Sequence, residues 1–299
     1  MPDVDIIGVP IDYGAGRHGV RLGPDAVREA GLKENLEKLG LKVHDCGNVA
    51  VAESNETAPG GPNRPRHAMA VRTAVEHTAH AVERSARDGR FPLVIGGDHS
   101  MAIGVLFGLA RVQGPQGVIW IDAHADLNTP ATSPTGNIHG MSVAAALGEA
   151  PELFPPGRFP VPSVDVARCV FVGLRDLDPG ERRSLRERGF TCFTMSDIDR
   201  QGMGDVIEQA ITIASRGPRS VHVSLDIDSL DPSLAPGTGT PVPGGLTYRE
   251  AHLAMEMIAQ SGCANSLEVA EVNPVLDEHN RTAAIAVELI CSALGKSIL

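Results

Sequence analysis

Two short segments constrain this chain more than any others. They are Gly117-Val118-Ile119-Trp120-Ile121-Asp122-Ala123-His124-Ala125-Asp126 and Val221-His222-Val223-Ser224-Leu225-Asp226-Ile227-Asp228. Each is an apolar, β-branched run that ends in charge. In an extended backbone, side chains at i, i+2 and i+4 point to one side. Asp122, His124 and Asp126 from the first segment, and Asp226 and Asp228 from the second, can therefore face one small volume if the two strands are neighbours. Carboxylates crowded together repel one another and shift their pKa values unless a cation neutralises them. The simplest neutraliser is metal, and a ligand set of this size suggests more than one ion.

The remainder reads as a frame for such a site. Apolar runs predict strands at 3–9, 41–46, 91–95, 117–122, 167–173, 190–194, 219–225 and 267–272. Between them, periodicity and Pro or Thr start signals predict helices at 24–39, from 65 to about 88, from 100 to about 112, from 139, after 181, at 203–215, at 247–259 and at 278–293. Segments 10–23, 49–64, 127–137 and 228–246 read as loops, and the proline-rich 149–164 as surface cover. Strictly alternating strands and helices, with several strands continuously apolar, imply a parallel sheet covered on both faces. The expected fold is a three-layer αβα domain with about eight parallel strands. No linker or internal repeat divides 1–299, so one domain is expected.

Composition narrows the partners. The chain of 299 residues has a formal net charge of −11, which disfavours nucleic acid and anionic membrane as partners. The five cysteines form no C-x-x-C pair, so neither a disulfide framework nor a zinc ribbon is suggested. Met1-Pro2-Asp3 carries no signal-peptide pattern, and no apolar run approaches the ~18 residues of a membrane span. A cytoplasmic location is expected.

The suspicious polar residues cluster at one edge. His99, in Gly96-Gly97-Asp98-His99-Ser100, follows a strand, Asp122 and Asp226 close theirs, and Glu271 ends 267–272. Open α/β sheets build sites at the carboxyl ends of their strands. Four carboxylates and two imidazoles, with no thiolate, suit a divalent first-row ion, and the carboxylate excess favours manganese. Two such ions close together can activate a shared water, which predicts hydrolysis of a poor electrophile. His77 and His80 have ligand spacing on a helix but no further partners in sequence, so they read as a solvated face. Gly14-x-Gly16 lacks the rest of a nucleotide fingerprint. His18 is a candidate wall of the substrate cleft.

These motifs resemble the arginase (ureohydrolase) family, from Gly8-Val9-Pro10 to Glu271-Val272-Asn273-Pro274. The resemblance implies two Mn2+ per subunit, with Co, Ni, Fe or Zn as substitutes. One ion would be held by His99, Asp122, Asp126 and Asp226, the other by Asp122, His124, Asp226 and Asp228. The metal motifs are shared with agmatinases and other amidinohydrolases. Asn128 and Thr135-Gly136-Asn137-Ile138-His139-Gly140 resemble the loop that binds the α-carboxylate of L-arginine, and Asp178 and Glu181 resemble the residues that receive its α-amino group. Thr135 stands where many arginases carry Ser, keeping the hydroxyl and adding a methyl. The implied reaction is L-arginine and water to L-ornithine and urea. Asp126 would orient the hydroxide, His139 would donate or shuttle the proton, and Glu271 and Thr240 would hold the guanidinium end. Agmatine is the alternative substrate. The family also implies a homotrimer or homohexamer. Plainer roles compete: His139 as a helix cap, Glu271 as a strand-end carboxylate, and Asp178 before Pro179 as a helix start.

Overall fold

The computed structural model describes residues 2–58, 60–217 and 220–297. Eight strands make one sheet: β1 (Val4–Val9), β2 (Val43–Asn48), β3 (Phe91–Gly96), β4 (Gln116–Ile121), β5 (Val164–Leu174), β6 (Thr191–Thr194), β7 (Val221–Asp226) and β8 (Ala264–Ala270). The helices are α1 (Gly23–Glu29), α2 (Leu32–Lys38), α3 (Ala68–Arg87), α4 (Met101–Gln113), α5 (Ser142–Leu147), α6 (Pro179–Arg188), α7 (Met195–Gln201), α8 (Met203–Ala214), α9 (Tyr248–Ser261) and α10 (Arg281–Ala293). All strand pairings are parallel, in the order β2-β1-β3-β8-β7-β4-β5-β6.

Burial explains the apolar runs. β1, β3, β4 and β7 are buried along their whole length, because helices cover both faces. Ile119, Val223 and Leu267 point into a core shared with Val206 of α8, Met255 of α9 and Ile290 of α10. The opposite face sends Val118 and Trp120 against Ala102 and Leu106 of α4 and Val143 of α5. The result is the expected three-layer α/β fold.

Several local expectations need correction. The helix expected over 24–39 is two helices, because Gly31 takes a left-handed φ of 85° between them. The 149–164 segment does more than cover the surface: Phe154 and Phe159 are buried against Phe107, with ring centroids 5.2–5.6 Å apart. Aromatic rings of that size gain too much from burial to stay in solvent. Helix α7 was not expected; a Thr194–Asp197 capping box opens it. Arg219, the expected start of its strand, lies outside the described residues. No helix among the described residues is long and apolar enough to cross a membrane.

Candidate metal centre and substrate pocket

Strands β3, β8, β7 and β4 lie side by side at the middle of the sheet. Their carboxyl ends bring His99, Glu271, Asp226 and Asp122 together from four distant stretches of chain. Strand alternation is not what aims them. β4 stops at Ile121, and a 3-10 turn over Ile227–Ser229 follows β7. Each aspartate instead makes the same local turn. Asp122 Oδ1 accepts from the His124 N–H at 2.7 Å, and Asp226 Oδ1 accepts from the Asp228 N–H at 2.7 Å. Short Asp side chains favour such turns. One oxygen of each carboxylate is thereby pinned, and each Oδ2 faces His99 Nδ1, at 3.3 Å from Asp122 and 3.0 Å from Asp226. Asp126 Oδ2 joins at 3.3 Å, on a backbone held at φ 50°. Glu271 also has a positive φ, 64°. Strained non-glycine backbone of this kind concentrates at functional sites.

The network behind His99 decides what its free nitrogen can do. Ser224 Oγ donates to Glu268 Oε1 at 2.8 Å, so its oxygen is left to accept from His99 Nε2–H, also 2.8 Å away. That fixes the tautomer and turns the Nδ1 lone pair toward three carboxylate oxygens. Nδ1 is buried and has no hydrogen-bond partner. A lone pair facing carboxylates is repulsive unless a proton or a metal ion stands between them. Trp120 stacks on the His99 ring at 4.3 Å and donates its Nε1–H to Asp122 Oδ2 at 3.0 Å, locking both groups.

Ligand atoms within 4.8 Å of one another form two groups, His99/Asp122/Asp126 and Asp122/His124/Asp228. They share Asp122. His124 Nδ1 lies 3.4 Å from Asp122 Oδ1 and 3.2 Å from Asp228 Oδ2. Mixed imidazole and carboxylate donors suit a divalent first-row cation.

The electrostatics fit a cation. Burial, reinforced by neighbouring carboxylates, raises the pKa of Asp126, Asp226 and Asp228. Burial also acts to raise Asp122, but His124 and His99 outweigh it and hold that carboxyl below the usual range. Burial lowers both imidazoles, yet the carboxylates around them win and drive His99 and His124 upward. Such a cluster draws in positive charge.

Above this floor is a pocket of about 120 Å³, lined by His124, Asp126, Asn128, Thr135, Asn137 and His139 and by Asp178, Glu181 and Thr240. It opens into a mouth of about 500 Å³ that Arg17, Asp176 and Glu271 help to line. Every residue given a metal, catalytic or substrate role from the sequence therefore reaches the floor, the pocket or its mouth, with one exception. His18 is largely exposed beside Asp12, and its neighbour Arg17 takes the mouth position.

Local bonds set the pocket side chains. His139 Nδ1 lies 3.0 Å from Glu271 Oε1, which also accepts from the His99 N–H at 2.9 Å. Burial pulls His139 down, but Glu271 outweighs it, and the imidazole is pushed up to about 9. Glu271 Oε2 is buried without a hydrogen-bond partner. Thr240 Oγ1 donates to Asp228 Oδ2 at 2.9 Å. Asn128 Nδ2 donates to Asp178 Oδ2 at 2.8 Å. Glu181 accepts from the Leu127 N–H at 3.2 Å and, in the capping box of α6, from the Asp178 N–H at 2.9 Å. Asp178 thus begins a helix and faces the pocket at once. His77 and His80 are exposed on α3, away from the site.

Sequence reasoning passed over Trp120, His222, Ser224 and Glu268. A signal existed: His222, Ser224 and Asp226 alternate through an otherwise apolar strand, and the register pairs Ser224 with Glu268.

A family model described as the arginase family matches residues 2–295. The chain belongs to the arginase family. It is 48% identical to the arginase of Bacillus caldovelox over 300 residues, covering 100% of both chains. It is 45% identical to that of Brevibacillus brevis, covering 99% of each. The solved Bacillus caldovelox arginase superposes with a TM-score of 0.96, again at 48% identity and 100% coverage of both chains. The protein is thus an arginase-family hydrolase, of the class that cleaves C–N bonds in linear amidines. Its His/Asp groups lie at the strand ends where the family motifs fall in sequence.

Proposed function

We propose that this chain hydrolyses L-arginine to L-ornithine and urea at a centre for two Mn2+ ions. The carrying observation is the pair of His/Asp groups that share Asp122 at the bottom of the pocket. His99, Asp122, Asp126 and Asp226 would hold one ion, and Asp122, His124, Asp226 and Asp228 the other. Bound there, divalent ions supply Lewis acidity and lower the pKa of water.

The protein's own groups then do the following. Glu271, with an unengaged buried oxygen, pairs with the guanidinium. Thr240 and His124 border its path. Thr135 and Asn137 donate to the α-carboxylate, Asn128 shapes the same rim, and Asp178 and Glu181 draw in the α-amino group. Asp126 accepts the hydrogen bond of the attacking hydroxide, aims its oxygen at the guanidinium carbon, and takes up the remaining O–H proton as the carbonyl of urea forms. As the C–N bond to the side chain breaks, that nitrogen needs a proton, because an amide anion cannot leave. His139, held by Glu271, delivers it. One water is consumed, and urea and the amine of ornithine are released.

The whole chain acts as one catalytic domain in this reading. A cytoplasmic setting, expected from the sequence, and a trimer or hexamer, implied by the family resemblance, complete this reading. The test is urea release from L-arginine and from agmatine by the manganese-loaded protein. Preference for L-arginine is expected; turnover of agmatine in preference would replace the substrate assignment.

A further inference from the structure

The pocket poses a charge problem for an amino-acid substrate. Asp126, Asp178, Glu181, Asp226 and Asp228 all line it, and among the described residues no Lys or Arg does. With Asp126, Asp226 and Asp228 assigned to the ions, Asp178 and Glu181 still face the substrate, and an α-carboxylate beside them needs donors turned toward it.

The segment carrying Arg66 sits against that rim. The Asn63 N–H donates to the Pro130 carbonyl at 2.6 Å, and the Arg66 N–H to the Gly136 carbonyl at 2.9 Å. A Cβ on Gly60 would fall 2.2 Å from the Thr135 carbonyl oxygen and 2.5 Å from Arg66 Cγ. The bare glycine therefore leaves the slot in which the Arg66 stem lies beside Thr135. From there Arg66 Nη1 donates to Asn137 Oδ1 at 3.4 Å. A primary amide has one acceptor end and one donor end. With the oxygen turned to Arg66, the amide nitrogen faces the other way, 3.0 Å from where a Gly16 Cβ would stand. Gly16 and Asn137 both line the pocket mouth. Arg66 Nε is buried and has no hydrogen-bond partner, so the guanidinium keeps this place at a desolvation cost.

We propose that Arg66 is a positioning residue that confers selectivity for an α-carboxylate: it turns the Asn137 amide so that its N–H groups meet the carboxylate, and it adds positive charge to a rim where Arg17 already lines the mouth. This rests on the amino-acid substrate proposed above. It predicts a penalty confined to ligands that carry the carboxylate.

The test is calorimetric binding of L-ornithine and of butane-1,4-diamine, the same chain without its carboxylate, to the manganese-loaded protein and its Arg66→Ala and Arg66→Lys variants. The wild type is expected to favour L-ornithine. Arg66→Ala should weaken L-ornithine about tenfold or more and leave the diamine within about twofold, with the melting temperature and manganese content held. Arg66→Lys should recover part of the loss, since it restores charge without the planar fork. Equal losses for both ligands would overturn the proposal and make Arg66 a loop clamp, and unchanged L-ornithine binding would overturn it outright. Urea release by the wild type is read separately, so a failure of the hydrolytic assignment is not confused with a failure of this one.

Discussion

The floor of the site and its rim are built by opposite means. On the floor, His99, Asp122, Asp226 and Asp228 are nearly inaccessible, and each is fixed by a strand end, a local turn or a ring stacked on it. On the rim, Thr135 and Thr240 are exposed and Asn137 is partly so, and their positions depend on loops bonded to other loops. The floor side chains are each tied to partners because a buried charge left unmatched is costly. The rim can vary because water satisfies whatever it leaves open. This difference lets one metal-type floor serve several substrates, with the choice made above it.

If that division is right, variants should separate by layer. The largest effect is expected for Asp126→Ala and Asp228→Ala, which should lose bound metal and urea release together; full turnover by either at chelator-buffered manganese would break the account of the floor. His139→Asn should come next, lowering turnover by about 10²- to 10⁴-fold with metal content intact. A change confined to arginine affinity would instead place His139 among the rim residues.

Glu268→Gln sharpens the boundary from below. It leaves the shape but weakens the Ser224 relay to His99, so metal affinity should fall about 10- to 100-fold while the KM for arginine at saturating metal stays within about twofold. Equal effects on both would show that floor and rim are not separable.

The smallest effect concerns the loop that carries Thr240. Asp231 accepts from the Ser233 hydroxyl and N–H and from the N–H groups of Gly244 and Gly245, which together lower its pKa to about 2. A carboxyl whose folded pKa is depressed adds stability above its unfolded value of 3.8 and loses it as pH falls toward 2. The melting-temperature gap between wild type and Asp231→Asn should therefore be full at pH 6 and shrink from about pH 4 to about pH 2. A pH-independent gap would contradict this origin.

The two layers also differed in how far the sequence revealed them. The floor was readable because each ligand follows a buried strand within a few residues, so a contiguous motif carries its geometry. Even there, alternation was the wrong mechanism, since the Asp122 and Asp226 turns begin where the strands stop. Glu268 and Ser224 went unnoticed because a lone polar residue in an apolar strand declares itself only when the neighbouring strand and its register are known. The rim joins segments near 16, 66, 128–140, 178–181 and 240, and no local pattern links them. Only the likeness to a family pointed there, and it passed over Arg17 and Arg66. Of the fold, the parallel sheet was plain from its apolar runs, whereas the break at Gly31 and the inward turn of Phe154 depend on packing that no short window contains.

The most direct measurement is the manganese stoichiometry of the purified chain, read by calorimetry with paramagnetic resonance to detect coupling between neighbouring ions. Two ions per chain with a coupled signal are expected, and the double variant Asp122→Ala/Asp226→Ala should abolish the coupled signal, because those two carboxylates belong to both proposed ligand sets. One isolated ion in the wild type, or two coupled ions persisting in the double variant, would contradict the shared floor.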